Sequence, residues 1–412
     1  MAAPSLCLIA PGHIASTPRL VKNADALAAA GYQVHVLFGR NYPPVDPLDV
    51  SLLRDAAWSH TRVDLLGGAG AQRARLVRAA ARWLARRTPV STALAARALH
   101  PAVGPLVAAA RRIPAQLYYG HCLAGLPIAA AAARHRGAAY GFDAEDYHDA
   151  ETAEALADRA EVAIRRKVQS ALLPGCRIFT AGSPLIAQEY GRQYGREGRP
   201  ILNVFPRSHA PAAPVDPGPI GPNRPARCYW FSQTIGPGRG LEATIAALAR
   251  MNTPVELHLR GFVGAEYAAH LRAHAGREGL ARPIQFLESG SPAEMVRLSA
   301  PYDLGLCVEE WTPLNHRLCL ANKVFVYLLA GIPQLMSDTP AMSGLARELE
   351  GAALCCAMAD PAAVARELDG LLGDPARTAR ARRTAWDLAR RRYCWEIEQE
   401  VLLGAVRAAL PL

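Results

Sequence analysis

Between Cys307 and Pro333 the chain reads CVEEWTPLNHRLCLANKVFVYLLAGIP, an acidic polar loop that runs into a helix opened by Asn322 and Lys323 and closed by Ala330-Gly331-Ile332-Pro333. The first backbone N–H groups of a helix have no partner within it and carry part of the macrodipole's positive end, so they form an anion site, here joined by the Lys323 ammonium. Just upstream, Glu309 and Glu310 end the apolar run YDLGLCVE, where two carboxylates can hold sugar hydroxyls. A second anion-binding pattern is QTIGPGRGLE at 233–242. Gly236, Gly238 and Gly240 let backbone approach a phosphate, the helix beginning near Leu241 adds N–H groups, and the Arg239 guanidinium can bind two phosphate oxygens at once. Two cations and two helix ends suit a diphosphate, and with carboxylates beside them the chemistry indicated is that of a nucleotide sugar.

The first half of the chain offers a different set. His121 closes the apolar run AQLYYGH, and a strand end of this kind is where ligands of an open α/β sheet collect, whereas His100 and His135 read as packing or surface residues. GFDAEDYHDAE at 141–151 gathers Asp143, Glu145, Asp146, His148 and Asp149. This loop either positions hydroxyls or supplies a helix N-cap at Asp146 or Asp149. APGHIASTPRL, after the first apolar run, contributes Gly12 and Arg19 as loop candidates.

These residues need elements to hold them. SLCLIAPG, a helix ending at Gly31 and YQVHVLFG make a β-loop-α-β start, and AQLYYGH, AAYGFDAED and CRIFTAG continue the alternation with helices between. From Ala210 to Arg227 the density of Pro and Gly precludes regular structure and marks a linker. A second series follows: CYWFSQ, VELHLRG, PIQFLES, YDLGLCVE, PQLMS and AALCCA as strands with helices between them, then an Arg-rich tail from Ala376 to Leu410 that reads as helical throughout. The boundaries indicated are a first domain at 1–206, a linker at 207–227, a second domain at 228–385 and a closing helix at 386–412.

Composition agrees with two ordinary cores: 412 residues, 51% hydrophobic and 20% charged. Nine scattered cysteines without a C-x-x-C signal neither zinc nor a disulfide framework, which fits a reducing cytoplasmic setting. The start MAAPSLCLIAPG lacks a basic leader and no apolar run of about 18 residues occurs, so a soluble or peripheral protein is expected. A net charge of +10 favours anionic partners. With 7% aromatic residues and no interleaving of aromatic and basic positions, nucleic acid ranks last among them. In 73–87, Arg75, Arg78, Arg82 and Arg86 share one helical face while Leu76, Ala80, Trp83 and Leu84 lie toward another. Two readings stand: a helix lying on an anionic membrane surface, or a surface helix that packs Leu and Trp inward.

On these motifs the chain resembles the GT-B glycosyltransferases, specifically glycosyltransferase family 4, over nearly its whole length. The family's N-K-x-F-E-Y-x-x-A-G-x-P stands here as Asn322 to Pro333, with Val326 in place of the glutamate that grips ribose and Leu318 in place of the second glutamate eight positions earlier. QTIGPGRGLE resembles its phosphate loop G-R-x-x-x-x-K-G, with Arg239 for lysine. The resemblance implies two Rossmann-like parallel-sheet domains facing a central cleft, with the C-terminal helix crossing back to the first. It also implies retaining transfer of a sugar from a nucleoside diphosphate sugar to an acceptor hydroxyl on a glycan or lipid, in cell-surface polysaccharide or glycolipid synthesis. By the same likeness His121 touches the donor sugar and the 141–151 loop faces the cleft; the residues indicate no metal or bound cofactor, and a cytoplasmic protein, or one peripheral at the inner face of the plasma membrane, is expected. Competing expectations are an epimerase or phosphorylase on the same fold, or a scaffold without activity.

Overall fold

A computed structural model describes residues 3–411 except 153–155 and 157. The chain divides into two compact units, Met1–Ile201 with Gln399–Leu412, and Leu202–Glu398.

In the first unit the strands are β1 (Ser5–Ala10), β2 (Gln33–Arg40), β3 (Ser59–Asp64), β4 (Leu117–His121), β5 (Ala139–Ala144), β6 (Ile178–Ala181) and β7 (Arg199–Pro200). They form one parallel sheet in the order β3-β2-β1-β4-β5-β6-β7. β1 and β4 are buried along almost their whole length, as expected of parallel strands covered on both faces. Between them the strand order reverses, and in open α/β sheets ligands bind outside the carboxyl ends at such a point. Helix Cys122–Arg136 starts hard against this edge. A Cβ on Gly120 would meet the Gly125 carbonyl oxygen at 2.3 Å, so only glycine admits the approach.

The second unit repeats the plan with β8 (Ala226–Ile235), β9 (Val255–Val263), β10 (Gln285–Leu287), β11 (Leu304–Cys307), β12 (Gln334–Ser337) and β13 (Ala353–Cys356), ordered β10-β9-β8-β11-β12-β13. All pairs are again parallel, and the reversal lies between β8 and β11. Its core joins Trp230, Leu257, Leu259, Leu306 and Leu335 to Leu241 and Ile245 of helix Leu241–Leu248 and to Val364 and Leu368 of helix Pro361–Leu372.

Three features depart from the sequence reading. The tail is two helices, Pro375–Arg391 and Trp395–Ala409, because Cys394 leaves the helix to bridge Phe205 and the Trp395 N–H donates to the Phe205 carbonyl at 3.0 Å. The Pro-rich segment is irregular but strapped down: Trp386 Nε1 donates to the Pro211 carbonyl at 3.0 Å and Arg382 to that of Val215 at 3.0 Å, and β8 takes in Ala226 and Arg227. In the first unit, β3, β7 and the helices Asp46–Arg54, Thr92–Leu99 and Val103–Ala110 were not foreseen. SHTRVD of β3 is an edge strand with a largely exposed pattern, so it lacks the apolar run that announces the others.

Candidate functional site

At the reversal point of the second sheet, β8 runs into the glycine turn and β11 into the two glutamates. Gly238 and Gly240 have φ of 76° and 67°, a region costly for any side chain, and Gly240 precedes helix Leu241–Leu248, whose N-terminus has no side-chain cap. A Cβ on Gly238 would have Glu310 Oε2 at 4.0 Å, and one on Gly240 would meet Val308 at 3.4 Å, so the turn lies directly against the end of β11. Helix Asn322–Ala330 likewise begins without a side-chain cap. Its Lys323 Nζ donates to Glu309 Oε1 at 3.2 Å and sits 5.1 Å from the centroid of the Trp230 ring. Both partners are buried, 8% and 6% exposed. The Glu309 N–H donates to Ser337 Oγ at 2.9 Å, whereas Glu309 Oε2 is buried with no partner among the described residues. Asn322 and Glu310 are exposed, and Gly236, Gly238 and Arg239 are half-buried. Thus Gly236, Gly238, Arg239, Gly240, Glu309, Glu310, Asn322 and Lys323 come from three segments to the edge of one sheet. Trp230 beneath Lys323, and Ser337 fixing the Glu309 backbone, carried no sequence signal, since each reads as an ordinary strand residue.

Val326 is wholly buried on the helix. The next residue, Tyr327, donates its hydroxyl to the Tyr229 carbonyl at 3.0 Å and packs on Gly305, where any Cβ would meet its ring at 2.4 Å. Leu318 ends the short helix Leu314–Leu318. Neither carries a group able to accept from ribose.

In the first unit His121, at the end of β4, is fully buried beside Asp143 of β5. Its Nδ1 lies 3.3 Å from Asp143 Oδ2 and 3.5 Å from Glu145 Oε1, ion-pair contacts looser than aligned hydrogen bonds. Its Nε2 has no partner among the described residues. Burial alone would depress the imidazole pKa, but Asp143 and Glu145 outweigh it and raise the value above 6.5. Asp143 is pressed the other way: burial favours its neutral form, yet Arg19 and His121 hold it well below the usual carboxylate range. Gly12 stands in the loop after β1, 3.4 Å by its notional Cβ from Asn41.

Arg19 is not a loop ligand. It lies on helix Pro18–Ala29, 2% exposed, and donates from Nε and Nη2 to Asp143 at 2.6 and 2.9 Å and from Nη1 to the Ile201 carbonyl at 2.5 Å. A guanidinium so engaged and dry organises Asp143 and cannot reach out to a phosphate. The 141–151 loop is also divided. His148 Nδ1 contacts Glu151 within the loop while its carbonyl accepts from Arg165 at 2.7 Å, and Asp149 accepts from Gln169 at 2.6 Å and Tyr194 at 2.5 Å, so both residues tie the loop to neighbouring helices. Asp146 is half-buried, and neither it nor Asp149 caps a helix among the described residues: the N-caps there are Tyr147, whose side chain makes no capping bond, and Asp158, which accepts from the Ala160 N–H. Ser183 does cap its helix, accepting from Ile186 N–H at 3.1 Å.

Among the described residues two groups have ligand atoms close enough for a cation, His121-Asp143-Glu145 and His13-Asp46-Asp49. Apart from His121 Nε2, the ligand atoms of both are largely engaged. Arg19 takes both Asp143 oxygens, Asp46 pairs with Arg40, and His13 Nε2 accepts from the backbone N–H of Asn41 at 3.2 Å and Tyr42 at 2.9 Å. A metal would have to displace buried cations and hydrogen bonds, so these residues do not fit one.

No protein-family model and no curated protein matches the chain. Solved structures similar to it include HepE of Anabaena in complex with UDP and glucose, at 16% identity over 98% of this chain and 100% of that one, with a TM-score of 0.70. A glycosyltransferase of Rickettsia africae is similar at 10% identity over 100% and 99%, TM-score 0.70. Sucrose-phosphate synthase of Thermosynechococcus elongatus is similar at 15% identity over 98% of each chain, TM-score 0.69. With its seven- and six-stranded parallel sheets flanked by helices, the chain has the two-domain α/β fold of these structures, GT-B.

Proposed function

We propose that this chain is a glycosyltransferase that moves a sugar from a nucleoside diphosphate sugar to a hydroxyl of a glycan or lipid-linked acceptor, with retention, in the synthesis of cell-surface polysaccharide or glycolipid. The observation that carries this reading is the buried Lys323–Glu309 pair, set at an uncapped helix N-terminus next to the Arg239 glycine turn. Its support from likeness is that HepE binds UDP and glucose on the same fold.

As the bond to the anomeric carbon breaks, negative charge grows on the departing diphosphate. Arg239, Lys323 and the free N–H groups of helices Leu241–Leu248 and Asn322–Ala330 meet that charge, an interaction stronger in the transition state than in the ground state. Lys323 has three N–H donors; one is held by Glu309 and the others remain for phosphate oxygens. The unpartnered Glu309 Oε2 accepts a sugar or ribose hydroxyl, which relieves a buried acceptor and stands in for the carboxylates absent at Val326 and Leu318. His121 positions a hydroxyl, and the acceptor's proton leaves with the departing phosphate. Cys122, next to His121, does not act as nucleophile: burial, reinforced by Glu145 and Asp146, holds it well above its ordinary pKa and therefore protonated. Nine free cysteines support a cytoplasmic setting.

One observation favours a scaffold without activity, namely the apolar residues at 318 and 326. Release of nucleoside diphosphate from a panel of UDP, GDP and ADP sugars, with and without acceptor, decides between them. Product glycoside with the donor's anomeric configuration supports transfer. If no nucleoside diphosphate at millimolar concentration raises Tm and none is released, the scaffold reading stands.

A further inference from the structure

Helix Gly68–Ala85 turns its apolar face outward. Leu76, Val77, Trp83 and Leu84 are 71%, 41%, 57% and 39% exposed, while Ala71, Ala81 and Ala85 are buried. At about 100° per residue, Trp83, Leu76, Ala80, Leu84 and Val77 fall within a sector of about 120° that also holds Arg73, and Arg87 follows just past the helix's C-terminal end. The basic stripe seen in the sequence has a different task. Arg82 pairs with Glu161, Arg86 with Asp158, and Arg75 donates to the Leu65 and Leu66 carbonyls, so these arginines fasten the helix to the protein. This corrects both sequence readings: Leu76 and Trp83 do not pack inward, and the Arg75-Arg78-Arg82-Arg86 face is not the outer one.

We propose that this outward face docks on an anionic lipid bilayer. A monomer gains nothing by holding four large apolar side chains of one helix in water. Trp at the rim of such a stripe suits the boundary between headgroups and acyl chains, and Arg on either end suits lipid phosphates. Arg73 has no partner among the described residues, and the Arg87 guanidinium lies over the Trp83 ring at 4.2 Å, where charge and ring reach the interface together. Beside Trp83 lies a shallow groove of about 660 Å³ lined by Ala79, Arg82, Arg86 and Arg87, where Arg82 and Arg86 are paired with carboxylates and Arg87 is the cation left for a phosphate headgroup. The surroundings carry more basic than acidic charge: from Asp64 to Asp143 the intervening chain has eleven arginines and no acidic side chain, and the carboxylates that reach the helix, Asp158 and Glu161, pair with Arg86 and Arg82. Charge therefore selects a bilayer rich in anionic lipid over a second copy of this chain, whose matching face is equally basic. Docking there is independent of the glycosyl-transfer reading.

The test sediments the full chain with vesicles of phosphatidylcholine alone and of phosphatidylcholine with phosphatidylglycerol. Binding is expected to the anionic vesicles only, weakening as salt rises. Leu76→Ser with Trp83→Ser, and separately Arg73→Glu with Arg87→Glu, should each lower partitioning on the order of tenfold or more, with nucleoside diphosphate release in the absence of vesicles unchanged. Absence of binding to either vesicle overturns the proposal. So does binding that neither pair of substitutions weakens, which would place the contact elsewhere. A concentration-dependent dimer that Trp83→Ser abolishes, without vesicle binding, overturns it in favour of self-association.

Discussion

Lys323 and Glu309 form a buried ion pair at 3.2 Å, with the ammonium also facing the Trp230 ring and one carboxylate oxygen left without a donor among the described residues. Removing one partner strands the other charge out of water. Lys323→Met should therefore lower stability by roughly 3–5 kcal/mol, whereas Lys323→Met with Glu309→Leu should recover most of that loss because no charge stays buried. Urea unfolding of the two variants measures the difference, and equal losses would show the pair to be uncoupled.

Arg239 stands half-buried in the glycine turn without a hydrogen bond or ion pair among the described residues. Arg239→Ala is expected to change stability by less than about 0.5 kcal/mol and to lower kcat for donor cleavage on the order of 10²-fold. Steady-state kinetics beside a thermal melt separates the two effects. A fall in stability that matches the fall in rate would make the residue structural.

Gly240 holds φ at 67° where helix Leu241–Leu248 begins, with Val308 at 3.4 Å from any added Cβ. Gly240→Ala should cost about 1–2 kcal/mol through the left-handed backbone and weaken nucleoside diphosphate binding by withdrawing the turn from the phosphates. Calorimetric titration with UDP, GDP and ADP is the check, and unaltered affinity for whichever binds would move the anion site away from this turn.

The Arg19–Asp143–His121 cluster sets a pH window. His121, raised above 6.5, contributes stability that is fully present below 6.5 and is lost as pH climbs through its folded value. Asp143, depressed below 3.8, contributes stability present above 3.8 and lost as pH falls through its folded value. Both contributions are complete between 3.8 and 6.5. The stability gap between wild type and His121→Asn should accordingly be widest in that interval and narrow on the alkaline side. A gap that grows with pH would mean that His121 is neutral in the folded protein.

Legibility followed the range of the physics. Strands such as β1, β4 and β11 show themselves as apolar runs, and Gly238, Gly240 and Lys323 by local chemistry at strand or helix ends, so the edge of the second sheet could be assembled from sequence. Arg19 could not, because its partner Asp143 lies 124 positions away and only the sheet order brings them together. The same limit applies to helix Gly68–Ala85. Its two faces are plain from periodicity, yet which one points outward depends on Asp158 and Glu161, far downstream. At Val326 the departure from the family motif was visible, but the unpartnered Glu309 oxygen that can answer it emerged only with the fold.

The central claim is that paired cations neutralise a departing diphosphate, and single-turnover cleavage of the preferred nucleotide sugar by Arg239→Gln combined with Lys323→Gln tests it most directly. Glutamine at 323 keeps a donor for Glu309, so the double variant should fold while its rate falls by on the order of 10²-fold or more. A folded double variant that cleaves the donor at the wild-type rate would contradict the account.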